Sequence, residues 1–111
     1  LQLRKSNYLK METKTNDLTE ITLKMLLDEG IIEKGTVLYS DTNPTKTAKI
    51  NSDGFIDLNI DGSQKLYPFP SGAARALVNL SVNGWKFWKV KINDELKEIS
   101  ELRKIYKERI K

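Results

Sequence analysis

Neither cysteine nor histidine occurs anywhere in the chain, and the two absences together remove most of the common catalytic and metal chemistries. Without Cys there is no disulfide and no thiolate, a usage that fits a reducing compartment and predicts a cytoplasmic protein. Without His, the commonest metal ligand and the commonest acid–base group near neutral pH are missing. Zinc sites, cysteine proteases and Ser-His-Asp triads are thereby excluded. Carboxylate, lysine or tyrosine chemistry remains, but no motif asks for it. Asp53, Asp57 and Asp61 fall in turn or strand contexts without the spacing of a calcium loop, and Asp28-Glu29 falls at a helix end. The six glycines form neither a GxGxxG nor a GxxxxGK phosphate-cradling loop. No apolar run approaches the roughly 18–20 residues that span a bilayer, and no charged start followed by a small-residue cleavage site reads as an export signal. The expectation is a module with no catalytic residue, no metal, no cofactor and no membrane segment.

What the chain does contain is enough apolar sequence for one ordinary core. Its 111 residues suit a single domain, since single cores usually take about 100–200 residues. The hydrophobic fraction is 39% and the charged fraction 31%, with both signs mixed along much of the length. The opening residue is Leu1 rather than Met, which reads as a piece of a longer protein whose function belongs partly to a neighbouring segment. Asn79-Leu80-Ser81 matches a glycosylation acceptor but is taken as chance in a cytosolic chain.

Residues 1–16 are polar with a weak apolar beat and read as a linker or marginal helix. Asp17-Leu18-Thr19-Glu20 has capping-box spacing, and the apolar residues from Leu18 to Leu27 recur at helical intervals, so a helix is predicted over about 18–29, stopped by Gly30. A β meander follows: Thr36 to Tyr39, Lys46 to Ile50, Phe55 to Ile60 after the Asp53-Gly54 turn, and Lys65 to Tyr67 after Asp61-Gly62. Its polar alternate positions imply a sheet covered on one side only. Pro68-Phe69-Pro70 ends the meander, and Ser71 reads as the N-cap of a small-residue helix, Gly72 to Val78. Asn83-Gly84 reads as a turn into a strand from Trp85 to Ile92, and Asp94 as the cap of an amphipathic helix through about Ile110. The fold class is therefore α+β: a small antiparallel meander of four to five strands with two or three helices, the last one long. Residues 17–92 form the domain, with 93–111 a helix packed on it or extending from it.

The segment Asn83-Gly84-Trp85-Lys86-Phe87-Trp88-Lys89 is the most distinctive in the chain. In a regular strand Trp88, Val90 and Ile92 share one face and read as core. Trp85, Phe87, Lys89 and Lys91 share the other, a mixture of rings and ammonium groups that suits nucleic acid. From Ser63 to Asn93 the cations Lys65, Arg75, Lys86, Lys89 and Lys91 occur without a single acidic residue. The bland reading of each element stands beside this one. Trp-x-x-Trp is more often core, alternating lysines can merely protect an edge strand, and Ser71 and Asn83 serve a cap and a turn. The free amides at the Ser71 helix start, beside Arg75, could also hold a phosphate.

Several blocks resemble the RAMA domain, the restriction-enzyme and adenine-methylase associated domain. They are Leu26-Leu27-Asp28-Glu29-Gly30-Ile31-Ile32 with Lys34 to Tyr39, the meander with Asp53-Gly54, Pro70-Ser71-Gly72-Ala73-Ala74, and Ser81-Val82-Asn83-Gly84-Trp85-Lys86-Phe87-Trp88. The resemblance covers roughly 18–92, and the last block is its most specific stretch. Gly72 departs from the alanine or serine usual at that helix start, and the turn from Asp41 to Thr45 lacks the basic residues common there. The resemblance implies a non-catalytic reader of double-stranded DNA, modified or methylated DNA included, beside a neighbouring catalytic domain of the parent chain in a restriction-modification or related bacterial defence protein. DNA contacts are then expected from Lys65, Ser71, Arg75, Asn83, Trp85, Lys86, Phe87, Lys89 and Lys91, with a base pocket near Tyr39, Tyr67, Trp85 and Phe87. A docking domain that joins a parent enzyme to a protein partner is the alternative.

Overall fold

A computed structural model describes residues 20–43 and 45–110. Its first helix, α1 (Leu23–Asp28), begins where Thr22 can cap it. The Thr22 hydroxyl accepts from the Met25 amide, and the Thr22 amide donates back to the Met25 sulfur. This reciprocal cap leaves Glu20 outside the helix, while the expected cap at Asp17 lies outside the described residues. At the other end Gly30 takes φ +72°, and the amides of Gly30 and Ile31 donate to Leu27 and Leu26. Those two bonds satisfy carbonyls that the last turn would otherwise orphan.

Four strands follow as a meander: β1 (Val37–Ser40), β2 (Thr47–Ile50), β3 (Ile56–Ile60) and β4 (Ser63–Tyr67). The β3–β4 hairpin closes on Asp61 and Gly62, both with positive φ, the geometry that suits a two-residue connection between right-twisted strands. After α2 (Pro70–Val78) and the single turn α3 (Gly84–Phe87), the chain returns to the sheet as β5 (Trp88–Ile92) and β6 (Glu95–Glu98), and ends in α4 (Ser100–Arg109). The sheet is fully antiparallel with the order β4-β3-β2-β1-β5-β6. Among the described residues it has six strands rather than four or five.

Two expected boundaries are corrected. Asn93 and Asp94 both adopt left-handed conformations, φ 54° and 67°, and form a tight turn rather than a helix cap. The residues after them pair with β5, Ile92 opposite Glu95 and Lys89 opposite Glu98. The spacing of Leu96, Ile99 and Leu102 fits a helix as well as this strand-then-helix path, so periodicity alone does not separate them. Ser71 is likewise no cap. Phe69 occupies the cap position of α2 without a side-chain bond, and Pro70 stands in the first turn, where its missing N–H costs nothing.

One face of the sheet carries the core. Leu38, Ala48, Ile50, Ile56, Leu58, Trp88 and Val90 point towards Leu23 and Leu26 of α1, Ala73 and Ala74 of α2, and Ile99 and Leu102 at α4. The two alanines, fully buried, let α2 lie close on β3 and β4. Each large side chain buried here contributes about 1.5–3 kcal/mol. The opposite face alternates to polar residues, among them Lys49, Asp57, Tyr39 and Lys89. It is the one-sided sheet that the alternation implies.

The last helix is tied to the first at both ends. Arg103 Nε donates to the Ile21 carbonyl at 3.0 Å, and Arg109 Nη1 to that of Glu29 at 2.9 Å. Between them, burial and then the carboxylates of Glu29 and Asp28 hold the Tyr106 phenol above its ordinary 10.0. The folded chain keeps this proton more tightly than the unfolded one, so this contribution to stability is whole below about pH 10 and is lost as pH rises through the raised value. Urea unfolding compared at about pH 9 and about pH 11 should show a smaller alkaline loss for Tyr106→Phe than for the native sequence.

Candidate functional site

The Asn83-to-Trp88 block folds around one close approach. The backbone of Gly84 lies against the Pro70–Ser71 peptide so tightly that a Cβ at position 84 would overlap the Pro70 carbonyl and the Ser71 nitrogen. The contact is also bonded. The Ser71 hydroxyl accepts from the Gly84 amide at 3.0 Å, and the Trp88 indole Nε1 donates to the Pro70 carbonyl at 3.1 Å. The Asn83 side chain accepts from the Trp85 amide at 3.0 Å, capping α3. Ser71 and Asn83 therefore spend their polar groups on positioning α3.

Because residues 84–87 form a helical turn and not a strand, the expected alternation breaks. Trp85 and Phe87 do not share an exposed face with Lys89 and Lys91. They are 9% and 6% exposed, so neither ring stands out to stack on a base. Phe87 meets Trp88 edge-on, with centroids 5.0 Å apart and planes at 85°, a favourable quadrupole arrangement inside the core. The four residues expected to form one pocket are separated. Tyr39 lies on the open sheet face beneath the Lys91 ammonium, 5.6 Å from its ring centroid. Tyr67 lies on edge strand β4 beside Lys65, at 5.8 Å. Phe87 is core, and Trp85 lines a cleft on the helix-bearing side whose lining includes none of the other three.

The cations divide as well. Lys89 and Lys91 belong to the open face, where Lys89 reaches Asp41 at 3.4 Å. Lys65, Arg75 and Lys86 belong to β4, α2 and α3, are exposed, and face no carboxylate among the described residues. Ser71, Gly72 and Arg75 border a shallow depression of about 190 Å³ with Ser81 and Val82.

The cleft at Trp85 is an apolar recess on the side of the sheet that bears the helices. Its volume is about 340 Å³, within the range of ligand pockets, and it lies between the start of α1, the turn after β2 and the β4–α2 joint. Asn51 builds one wall: its side-chain oxygen accepts from the amides of Asp53 and Phe55, folding the turn that presents the Phe55 ring. Gly54 lets that turn press on α1, since a Cβ there would stand 2.7 Å from the Lys24 nitrogen, and its φ of +82° is one that side-chain-bearing residues avoid. Pro68, Phe69 and Pro70 form the facing wall. Phe55 is 37% exposed and Phe69 67%, two rings left open to solvent at one site. At the floor the Arg103 guanidinium stacks on Trp85, 3.5 Å from the ring centroid. Sequence reasoning misses Phe55, Phe69 and Arg103. Phe55 reads only as the first residue of a strand, Phe69 as a strand terminator between prolines, and Arg103 as one charge in a mixed helix. Nothing local to any of them signals that they converge.

Compared with known families, the sequence matches the Restriction Enzyme Adenine Methylase Associated model over residues 5–111. The chain is a RAMA domain. The match extends past both ends of the 18–92 stretch whose motifs carry the resemblance, and takes in β6 and α4. A comparison with curated proteins finds no match. The family ties the RAMA domain to restriction-modification systems. Among its described residues no helix is long and apolar enough to cross a membrane.

The Pro70–Gly84 contact tests the local account. Gly84→Ala must push the two backbones away from each other, and overpacking of this kind costs about 1–3 kcal/mol. Thermal unfolding should show a Tm lowered by several degrees, whereas Gly62→Ala at an open turn, strained only by its φ of +84°, should cost about 1 kcal/mol. Arg103→Met keeps the apolar stem but loses the cation over Trp85, worth about 1–2 kcal/mol when desolvated. Its expected signature is a red-shifted tryptophan emission along with the lower Tm.

Proposed function

We propose that this RAMA domain is a non-catalytic DNA-binding module that serves a restriction-modification protein by recognising modified duplex DNA, methylated DNA included. The observation that carries the reading is the placement of Lys65, Arg75 and Lys86. These three exposed cations on adjoining elements meet no carboxylate from the described residues, and α2 and α3 also give Pro70 and Trp85 to the lining of the cleft. Unneutralised cations bind phosphates by releasing condensed counterions, which needs no sequence information. Specificity then falls to whatever reads the base. The family's association with restriction enzymes and adenine methylases supplies the context in which such a reading is useful. A buried methyl adds only about 0.8 kcal/mol, so selectivity for a modified base needs more than an apolar wall.

The opposite sheet face is a poorer DNA surface. Lys89 is engaged with Asp41, and Lys49 stands opposite Asp57 on the neighbouring strand. Exposed Phe69 and Leu80 also suit the alternative, a docking surface for a protein partner. Salt separates the two readings. Three phosphate contacts predict a log–log slope of binding against salt of about −2.7, and engagement of Lys89 and Lys91 as well would steepen it to about −4.5. Single Lys65→Ala, Arg75→Ala and Lys86→Ala variants should each weaken all duplexes alike and flatten the slope by about 0.9. Absence of duplex binding at low salt would rule out the DNA reading. A slope near zero with an intact complex would favour protein docking.

A further inference from the structure

Resting on the DNA-binding reading, we infer that the cleft between Phe55, Phe69 and Trp85 receives a single nucleobase unstacked from the duplex. A phosphate is a poor occupant. The walls are largely aromatic and proline, and the cations Lys24 and Arg103 in the lining are offset by the Asp53 carboxylate, so a multiply charged anion would give up its hydration there for little polar contact. A planar, uncharged ring is the complementary ligand. Phe55 and Phe69 offer it two exposed aromatic faces, and base–aromatic stacking tolerates any base because every base has a π face. The recess of about 340 Å³ is of pocket size and open to the surface.

Charge complementarity favours a base on a polyanion over an apolar peptide segment. Arg103, stacked on Trp85, places a fixed cation at the floor. Lys86 follows Trp85 directly, on α3, and Lys65 precedes the Pro68–Pro70 wall on β4. On this reading the nucleic-acid backbone is held by cations on the elements that lead into the cleft walls. A base inside a stacked duplex cannot enter it, whereas an extruded one can, at the cost of unpairing and unstacking. The cleft itself is rigidly made. The Asn51 bonds hold the Phe55 turn, and the Gly84–Pro70 contact holds Phe69 and Trp85.

The experiment uses the whole chain and two duplexes of identical length and sequence, one fully paired and one with a central single-base bulge. The bulged base is already unpaired, so some of the extrusion cost is removed. The bulged duplex should bind about tenfold or more tightly than the paired one. In a Phe55→Leu/Phe69→Leu double variant, apolar volume stays but the stacking faces go, and the ratio should fall to about 2 or less. Leu80→Ala, an exposed apolar change outside the cleft, should keep the full ratio. Paired and bulged duplexes bound equally by the native chain would overturn the cleft assignment while leaving the DNA reading intact. So would a double variant that keeps the preference, or a Leu80→Ala variant that loses it. Failure to bind either duplex would sink both readings together. Thermal melts within a few degrees of the native chain confirm that the variants are folded, since both rings are substantially solvent-exposed.

Discussion

The arrangement depends on one close contact between two stretches distant in sequence, the Gly84 backbone seated on the Pro70–Ser71 peptide. It fixes three things at once. It anchors α3 against the first turn of α2, and it brings the Trp88 indole to the Pro70 carbonyl so that this buried N–H is satisfied. It also sets where the chain re-enters the sheet as β5. Because β5 pairs with β1 on one side and β6 on the other, the position of Trp88 governs how the meander is extended into a six-stranded sheet. A small helix start with Pro and Ser, and a block with Asn, Gly and two tryptophans, look unrelated in the sequence. In space each is the other's complement: the serine hydroxyl holds the glycine amide, and the glycine's missing side chain makes room for the proline carbonyl.

That complementarity explains why the sequence is legible in some places and misleading in others. Strands β2 to β4 are legible because turn chemistry is local: Asp53-Gly54 and Asp61-Gly62 declare their own geometry, and the alternation between them names the buried face. Gly30 is legible for the same reason. Trp88 as core is also readable, from its period with Val90. Trp85 and Phe87 mislead because Asn-Gly before an aromatic-rich run has the same letters whether it starts a hairpin or caps a helical turn. The deciding partner, Pro70–Ser71, lies more than about a dozen residues away. Asn93-Asp94 misleads in the opposite sense, a hairpin with the look of a helix cap, because the apolar residues that follow fit both periods. The recess lined by Phe55, Phe69 and Arg103 is illegible outright. Its walls come from separate stretches of the chain, and pockets made by non-local convergence leave no pattern at any one of them.

The split of the cations follows from the same topology. In the sequence, Lys65 through Lys91 form one acid-free interval, but the interval crosses the sheet. Lys65 points to the helix-bearing side at the β4 edge, opposite Leu58 in the pairing, whereas Lys89 shares the open face with Tyr39. A linear count of charge therefore overstates any single surface. What distinguishes the two sides is the nearby carboxylate. On the open face Asp41 reaches Lys89, and Asp57, held by the Gln64 amide at 2.7 and 2.8 Å, stands opposite Lys49 on the neighbouring strand. On the helix-bearing side, Lys65, Arg75 and Lys86 keep their charge unopposed by the described residues.

If recognition takes place on the helix-bearing side, as proposed, binding and stability share the same contacts. The rings that line the cleft are held by the contact that organises the core, through Trp85 and the Pro68–Pro70 wall, and by α4, through Arg103. Loops that carry binding residues are ordinarily the least stable regions of a domain. Here the floor of the recess is a ring clamped between α3 and α4, so it can shift only if the last helix moves as well. The cleft is thus preorganised, and the ordering cost that a flexible site would impose on binding falls largely on folding instead.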